Sequence, residues 1–209
     1  MKNTKTYKLE KYLICKRALD MTLSFLALIM LFPLFVIIAI MIKFDSRGPI
    51  IFTSKRVGKD GKEFMLYKFR SMVKEAERLK GDLKHLNETD GPIFKIKRDP
   101  RITRVGRILR RTSMDELPQF FNVLKGDMSI VGPRPPLPSE VKEYTLHQMK
   151  RLSVIPGLTC LWQISGRSNI SFYEWIELDI YYIQHRSFML DLKILIRTIP
   201  VVIIGKGAY

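Results

Sequence analysis

The run from Met21 to Ile42, MTLSFLALIMLFPLFVIIAIMI, decides the architecture. Among its 22 residues only Thr22, Ser24 and Pro33 are not apolar, and none is charged. As one straight helix it would reach about 33 Å at 1.5 Å per residue, close to the hydrocarbon thickness of a bilayer. No small-residue cleavage site follows, since the chain continues as Lys43-Phe44-Asp45, so the run is not read as a removable leader. A buried core helix is the alternative, but such helices are shorter and keep a polar edge. Both flanks are basic: Lys2, Lys5, Lys8, Lys11, Lys16 and Arg17 precede the run, and Lys43, Arg47, Lys55, Arg56 and Lys59 follow it. Positive charge holds a flank on the cytoplasmic side, so a simple crossing would break that preference at one end. Pro33, just past the middle, removes a backbone donor and bends or breaks the helix. A helix-break-helix that enters and leaves by one face satisfies both observations; a proline-kinked span is the alternative.

Outside this run the chain is strongly basic. Thirty-six Lys and Arg against 20 Asp and Glu give a net charge of +16, while 46% of residues are hydrophobic. That hydrophobicity excludes a disordered chain. Two cysteines far apart, Cys15 and Cys160, exclude a disulfide-stapled secreted domain. A single apolar run excludes a polytopic transporter. Residues 1–45 are therefore read as a basic lead-in plus membrane element, and residues 46–209 as one compact domain. The fold class is α+β and mostly helical. Strands are expected at Pro49–Thr53 and Glu63–Phe69 around a Gly58–Gly61 turn. Helices are expected over Val73–Leu86, around Ile102–Leu109, and over Glu116–Leu124, Ser139–Arg151 and Phe172–Gln184. Four prolines among residues 133–138 exclude regular structure there. The apolar stretch Leu192–Ile204 is too short to span, and is assigned to the core or to the membrane interface as an amphipathic helix.

Chemistry concentrates at Asp115-Glu116. Acids at a helix start are commonly structural, with Ser113 as the cap. Here Arg101, Arg104, Arg107, Arg110 and Arg111 crowd the same segment. A carboxylate beside arginines stays ionised and can act as a nucleophile, and the arginines can hold phosphate oxygens. Two adjacent carboxylates also permit division of labour between attack or metal binding and proton transfer. Arg134, fixed between Pro133 and Pro135, presents a guanidinium with little local freedom, either for an anion or incidentally in a rigid connector. Lys68 and Arg70 share one face of the second strand, which is solvated or an anion site. Asp179, on an aromatic-rich helix, is a ligand to a metal or ribose, or a structural partner for an arginine. Arg167 follows a turn glycine, Gly166, and can reach an anion. His85, His147 and His185 form no ligand spacing, and no Walker A or GxGxxG motif is present.

The segments Tyr67–Met72 (YKFRSM), Leu109–Gln119 (LRRTSMDELPQ) and Asn122–Pro135 (NVLKGDMSIVGPRP), with Pro156-Gly157-Leu158-Thr159, Trp162-Gln163, Ser165-Gly166-Arg167 and Asp179, closely resemble the bacterial sugar transferase family, the monotopic polyprenol-phosphate phosphoglycosyl transferases. The resemblance runs from about Lys16 to the C-terminus and is to the family's minimal form, without extra leading spans. It implies a re-entrant membrane helix broken near Pro33. It implies transfer of a sugar 1-phosphate from a UDP-sugar to undecaprenyl phosphate, with release of UMP, at the cytoplasmic face of the bacterial inner membrane. It implies Mg²⁺ as cofactor, with Asp115 as nucleophile and metal ligand, Glu116 activating the acceptor, and Lys68, Arg70, Arg110, Arg134, Arg167 and Asp179 around the substrate. The expected partners are the UDP-sugar, the polyprenyl phosphate and an anionic bilayer, with a second copy of the chain as a candidate and no nucleic acid. Two rival readings start from the same composition: a membrane-tethered nucleic-acid binder would account for the charge, and a non-catalytic scaffold for other glycosyltransferases would account for the anchor.

Overall fold

The computed structural model describes residues 4–166 and 170–205, so Lys2 and Arg167 lie outside the described residues. The apolar run forms two helices, α1 (Thr4–Met30) and α2 (Phe32–Asp45), bent by 60° at Leu31. The turn comes two residues before Pro33. A proline ring collides with the preceding helical turn but is tolerated in the first turn of a new helix, where Pro33 sits. No single helix among the described residues is long and apolar enough to cross a membrane. The apolar part of each arm is about 15 Å long, half a hydrocarbon core.

Both arms are fastened to the same body. Near the start of the apolar run, Arg17 donates to the carbonyls of Val123 (2.6 Å) and Leu124 (2.9 Å). Asp20 accepts from Ser129 Oγ (2.7 Å) and the Ile130 amide (3.1 Å). At the far end, Asp45 accepts from the Val105 amide (3.1 Å), and Arg70 donates to the carbonyls of Ser46 (2.6 Å) and Ile42 (3.3 Å). The inner face of α2 is core: Ile38 and Ile42 pack with Phe69 and Leu109, flanked by Met114 and Leu117. The outer faces stay bare, with Phe25, Ile29, Met30, Phe32, Ile37 and Phe44 exposed. The segments on either side of residue 45 thus pack against each other.

Around this junction the chain is mostly helical with two small sheets. Strands β1 (Ile51–Val57) and β2 (Glu63–Phe69) form an antiparallel hairpin in which Phe52 faces Lys68 and Arg56 faces Phe64. The first strand lies slightly later and runs longer than its sequence suggests. Val73–Leu86 is not an α-helix; it holds only short 3-10 turns at Arg78–Lys80 and Lys84–Leu86. Val73, Ala76, Leu79, Leu83 and Leu86 do fall at helical spacing, but of these only Ala76 is buried, and Gly81 adds its own helix penalty, so little offsets the cost of nucleation. Helix α3 (Arg104–Arg111) is capped by Thr103, whose Oγ1 accepts from the Gly106 amide at 3.0 Å. Helix α4 (Gln119–Lys125) ends at Gly126 in the left-handed region. A short parallel pair, β3 (Ser129–Val131) with β4 (Gly157–Thr159), had no signal in the sequence at three residues each.

The expected Ser139–Arg151 helix is broken into α5 (Pro138–Val141), α6 (Leu146–Met149) and a 3-10 turn, because Thr145 and Gln148 form a capping box that starts a new helix. Helices α7 (Leu161–Ile164), α8 (Phe172–His185) and α9 (Phe188–Ile204) complete the domain. In α9, Ile194 is fully buried while Phe188, Met189, Ile196 and Ile199 remain exposed.

Gly106 lets α3 lie directly on the chain after β2: a Cβ there would sit 2.0 Å from the Ser71 carbonyl oxygen. Gly106→Ala is expected to destabilise the protein by about 1–3 kcal/mol, as overpacking does, read by thermal or denaturant unfolding.

Candidate active site

The acid pair occupies a pinned turn. After α3, Ser113 takes a left-handed conformation (φ 55°, ψ 16°) and reverses the chain into a 3-10 turn at Met114–Glu116. Ser113 makes no capping bond, so the structure replaces the expected capping role with a conformational one. Met114 and Leu117, on either side of the pair, insert among Ile38, Ile42, Phe69 and Leu109. The two carboxylates are thereby held between two apolar anchors.

They differ sharply in environment. Glu116 accepts from Lys68 Nζ at 2.6 Å, both side chains being about a quarter exposed. Asp115 is only 6% exposed. Burial pushes its pKa up to about 6, opposed chiefly by Lys68 and then by Arg110, while Glu116 adds to the rise. Asp115 is therefore ionised at neutral pH by a narrower margin than its arginine neighbours suggest. The reason is that most of them point away. Arg104, Arg107 and Arg111 are exposed, and Arg101 is buried in an ion pair with Asp99 (2.6 Å). Arg110 turns inward, with Nε donating to Ser71 Oγ at 2.9 Å.

Beside the pair lies a cleft of about 80 Å³, with Arg56, Lys68, Glu116, Gln119, Arg134 and Trp162 on its walls. Arg134 is 30% exposed, reaches Glu140 at 3.4 Å and lies 5.4 Å from the Trp175 ring. Trp162 packs against Trp175 with ring centroids 4.3 Å apart and planes tilted by 37°. Arg56 donates to the Pro135 carbonyl at 3.2 Å. Burial, and then the neighbouring Arg134, bring the Arg56 pKa down to about 10. Arg56 was read only as part of a basic flank. The hairpin register would have revealed it, since it places Arg56 on the same face as Leu66 and Lys68.

Two expected site residues lie elsewhere. Arg70 is 5% exposed and does not share a solvated face with Lys68; β2 ends at Phe69, and the guanidinium turns back to hold the end of α2. Asp179 is 1% exposed and accepts from Arg151 Nη2 (2.7 Å) and Nε (2.9 Å). Arg151 in turn donates to the Arg134 carbonyl (3.2 Å) and the Tyr144 hydroxyl (2.6 Å). Of the readings open for Asp179, the structure shows the arginine partner, supporting the Arg134 loop from behind. A larger groove of about 620 Å³ lies between the start of α1 and the α8–α9 junction, away from the acid pair.

Among the described residues no three His, Cys, Asp or Glu side chains gather into a cage for a metal. Glu116 lines the cation-rich cleft, and the buried Asp115 adjoins it in the same turn, so two adjacent carboxylates stand at its edge. That donor set fits Mg²⁺ held jointly with substrate phosphates, since this ion keeps waters and takes one or two carboxylates.

The bacterial sugar transferase family matches residues 11–205, and the chain belongs to that family. It is 48% identical to the galactosyl transferase CpsE of Streptococcus agalactiae over 98% of its length, covering 46% of that protein. It is 40% identical to the exopolysaccharide production protein ExoY of Sinorhizobium fredii, covering 94% of this chain and 88% of the other. It is 43% identical to the UDP-glucose:undecaprenyl-phosphate glucose-1-phosphate transferase of Klebsiella pneumoniae, covering 94% of this chain and 42% of that protein. The chain thus spans less than half of the Streptococcus and Klebsiella relatives and most of the Sinorhizobium one.

Because the folded state keeps the Asp115 proton that the unfolded chain releases between pH 3.8 and about 6, burying this group costs stability as pH rises through that window. Asp115→Asn is expected to be more stable than the parent above pH 6, by roughly 1–3 kcal/mol without added divalent cation, and no more stable below pH 4. Unfolding measured across pH checks this. Asp179→Asn should cost about 3–5 kcal/mol, because it leaves Arg151 buried and unpaired. An unchanged unfolding midpoint would mean that the pair is not structural.

Proposed function

We propose that this protein transfers a sugar 1-phosphate from a UDP-sugar to undecaprenyl phosphate and releases UMP, as the membrane-committing step of an exopolysaccharide or capsule pathway. The observation that carries this reading is the buried Asp115 next to the Lys68–Glu116 pair, which lines a cleft with Arg56 and Arg134. The relatives' names point to the same reaction class. In the first half-reaction an Asp115 carboxylate oxygen attacks the phosphorus that bears the sugar. The bond from that phosphorus to the UMP oxygen breaks, and UMP leaves with the electron pair. In the second, an oxygen of the polyprenyl phosphate attacks the same phosphorus, the aspartyl bond breaks, and the Asp115 carboxylate is regenerated.

Each neighbour has a role in this scheme. A substrate phosphate competes with Glu116 for Lys68 and draws the ammonium toward the reacting centre. Glu116, released from that pair, accepts the proton of the acceptor phosphate. Arg110 balances the charge on Asp115, and Arg134 faces the substrate from the opposite wall. Asp115, with Glu116 beside it, would hold Mg²⁺, and the ion when bound supplies charge neutralisation on the diphosphate. The bent helix pair supports the membrane side of the reading. Both arms end on one body, so both ends lie on one face, and the bare outer surfaces call for an apolar neighbour. That surface is assigned to the cytoplasmic leaflet of the bacterial inner membrane, where the acceptor's phosphate lies at headgroup depth.

Incubation with a labelled UDP-sugar and intact-mass measurement should show a covalent phosphosugar adduct on the parent and none on Asp115→Asn; an adduct on that variant would overturn the nucleophile. With undecaprenyl phosphate present, steady-state UMP release should fall by about a hundredfold or more in Glu116→Gln, the range of a lost general base, while the single turnover without acceptor persists. In a Cys15→Ser background, cysteines placed at Lys8 and at Lys59 should react with a membrane-impermeant reagent from the same side of sealed vesicles. Labelling from opposite sides would exclude re-entry.

A further inference from the structure

Arg56 is a cleft cation to which the reaction scheme gives no task. It stands on β1, and the hairpin register puts it on the face that also carries Lys68. Its Nη1 donates to the Pro135 carbonyl at 3.2 Å, next to Arg134 in the proline-rich loop. Its Nε is buried without a hydrogen-bond partner. After burial, the like charge of Arg134 acts on it more strongly than the opposite charges of Glu140 and Glu116. Glu140 is already engaged, accepting from Arg134 and from the Leu137 amide (2.9 Å). Two guanidinium groups therefore line one small cleft, and one keeps unused donor capacity in a place that water reaches poorly.

Such an arrangement is unfavourable until an anion enters. A neutral ligand would satisfy donors but leave the repulsion, whereas a carbonyl or hydroxyl would waste the forked geometry. A phosphate offers several oxygens, accepts from two forks at once and cancels the like charges. Burial and Arg134 together bring Arg56 below its ordinary pKa, the direction expected for a cation short of counter-charge.

We propose that Arg56, paired with Arg134, is a substrate-binding residue that clasps a phosphate group in the cleft. This rests on the phosphoryl-transfer reading above. Two phosphates could occupy the clasp, that of the departing nucleotide or that of the lipid acceptor.

The test uses the full chain in lipid nanodiscs, with UMP as the first probe and undecaprenyl phosphate as the second. Arg56→Gln keeps a donor for the Pro135 carbonyl and removes the charge, whereas Arg56→Lys keeps the charge and loses the fork. If the nucleotide phosphate is held, Arg56→Gln weakens UMP binding by about tenfold or more, the size of one charge-assisted hydrogen bond, and Arg56→Lys weakens it less. If the acceptor phosphate is held, UMP binding is unchanged and the KM for undecaprenyl phosphate rises by a similar factor in the same order. Either result supports the clasp and names its source. If Arg56→Gln matches the parent in both, with Arg56→Lys the less stable variant, Arg56 merely braces the loop and the proposal fails. If the parent releases UMP from a UDP-sugar yet neither variant changes either constant, only the clasp falls. If the parent neither binds UMP nor transfers, the functional reading falls and takes the clasp with it.

Discussion

The rest of the structure depends on one patch of apolar packing. Ile38 and Ile42 of α2 press against Phe69 at the end of β2 and Leu109 at the end of α3, with Met114 and Leu117 closing the sides. Four elements meet there, and each carries something of consequence. The strand ends next to Lys68, the helix carries Arg110, and the turn carries Asp115 and Glu116 between its two apolar residues. Burying a large apolar side chain contributes about 1.5–3 kcal/mol, so this patch alone outweighs any single polar contact at the site. The acid pair is placed chiefly by the apolar contacts that Met114 and Leu117 make with α2, β2 and α3.

Polar contacts then fix the angles. Arg17 and Arg70 both donate to carbonyls at or beyond helix ends, Arg17 at the end of α4 and Arg70 at the end of α2. Basic side chains at helix C-termini satisfy orphan carbonyls and favour the local dipole. Asp20 and Asp45 do the reverse, accepting backbone amides of β3 and α3. The bent helix pair and the rest of the chain are thus cross-wired at both ends, which fixes the position of the apolar arms relative to the cleft. The net charge of +16 divides accordingly. Part of the positive charge is buried structural arginine, such as Arg70, Arg101 and Arg151, part lines the cleft, and much of the rest is exposed, on α3, near the start of α1, on the hairpin and along residues 74–98.

How far the site could be read depended on whether a residue's role is local. Asp115 and Glu116 stood out because charge density and spacing are visible along the chain. Strand alternation put Lys68 on one face with Arg70 and left that face open between solvent and an anion site. Arg70 misled, because alternation continues in sequence past the point where β2 stops and the chain folds under α2. Asp179 left three readings open until its partner Arg151, 28 positions away, was placed against it. Arg56 passed unnoticed because its neighbour across the cleft, Arg134, is 78 residues distant. Val73–Leu86 misled in another way: its residues favour a helix singly, yet no surface waits to bury one.

By itself the sequence determined that the chain carries an apolar element broken near its middle, a mostly helical α+β domain and one acidic pair in a basic segment. These are properties of composition and short-range periodicity, which need no partner to be read. Only the tertiary structure decided that both arms of the element rest on one body, that Asp115 is buried while Glu116 is paired with Lys68, and which arginines face the cleft. Those facts turn on desolvation and on contacts between residues far apart in the chain, and both arise when distant surfaces close over one another.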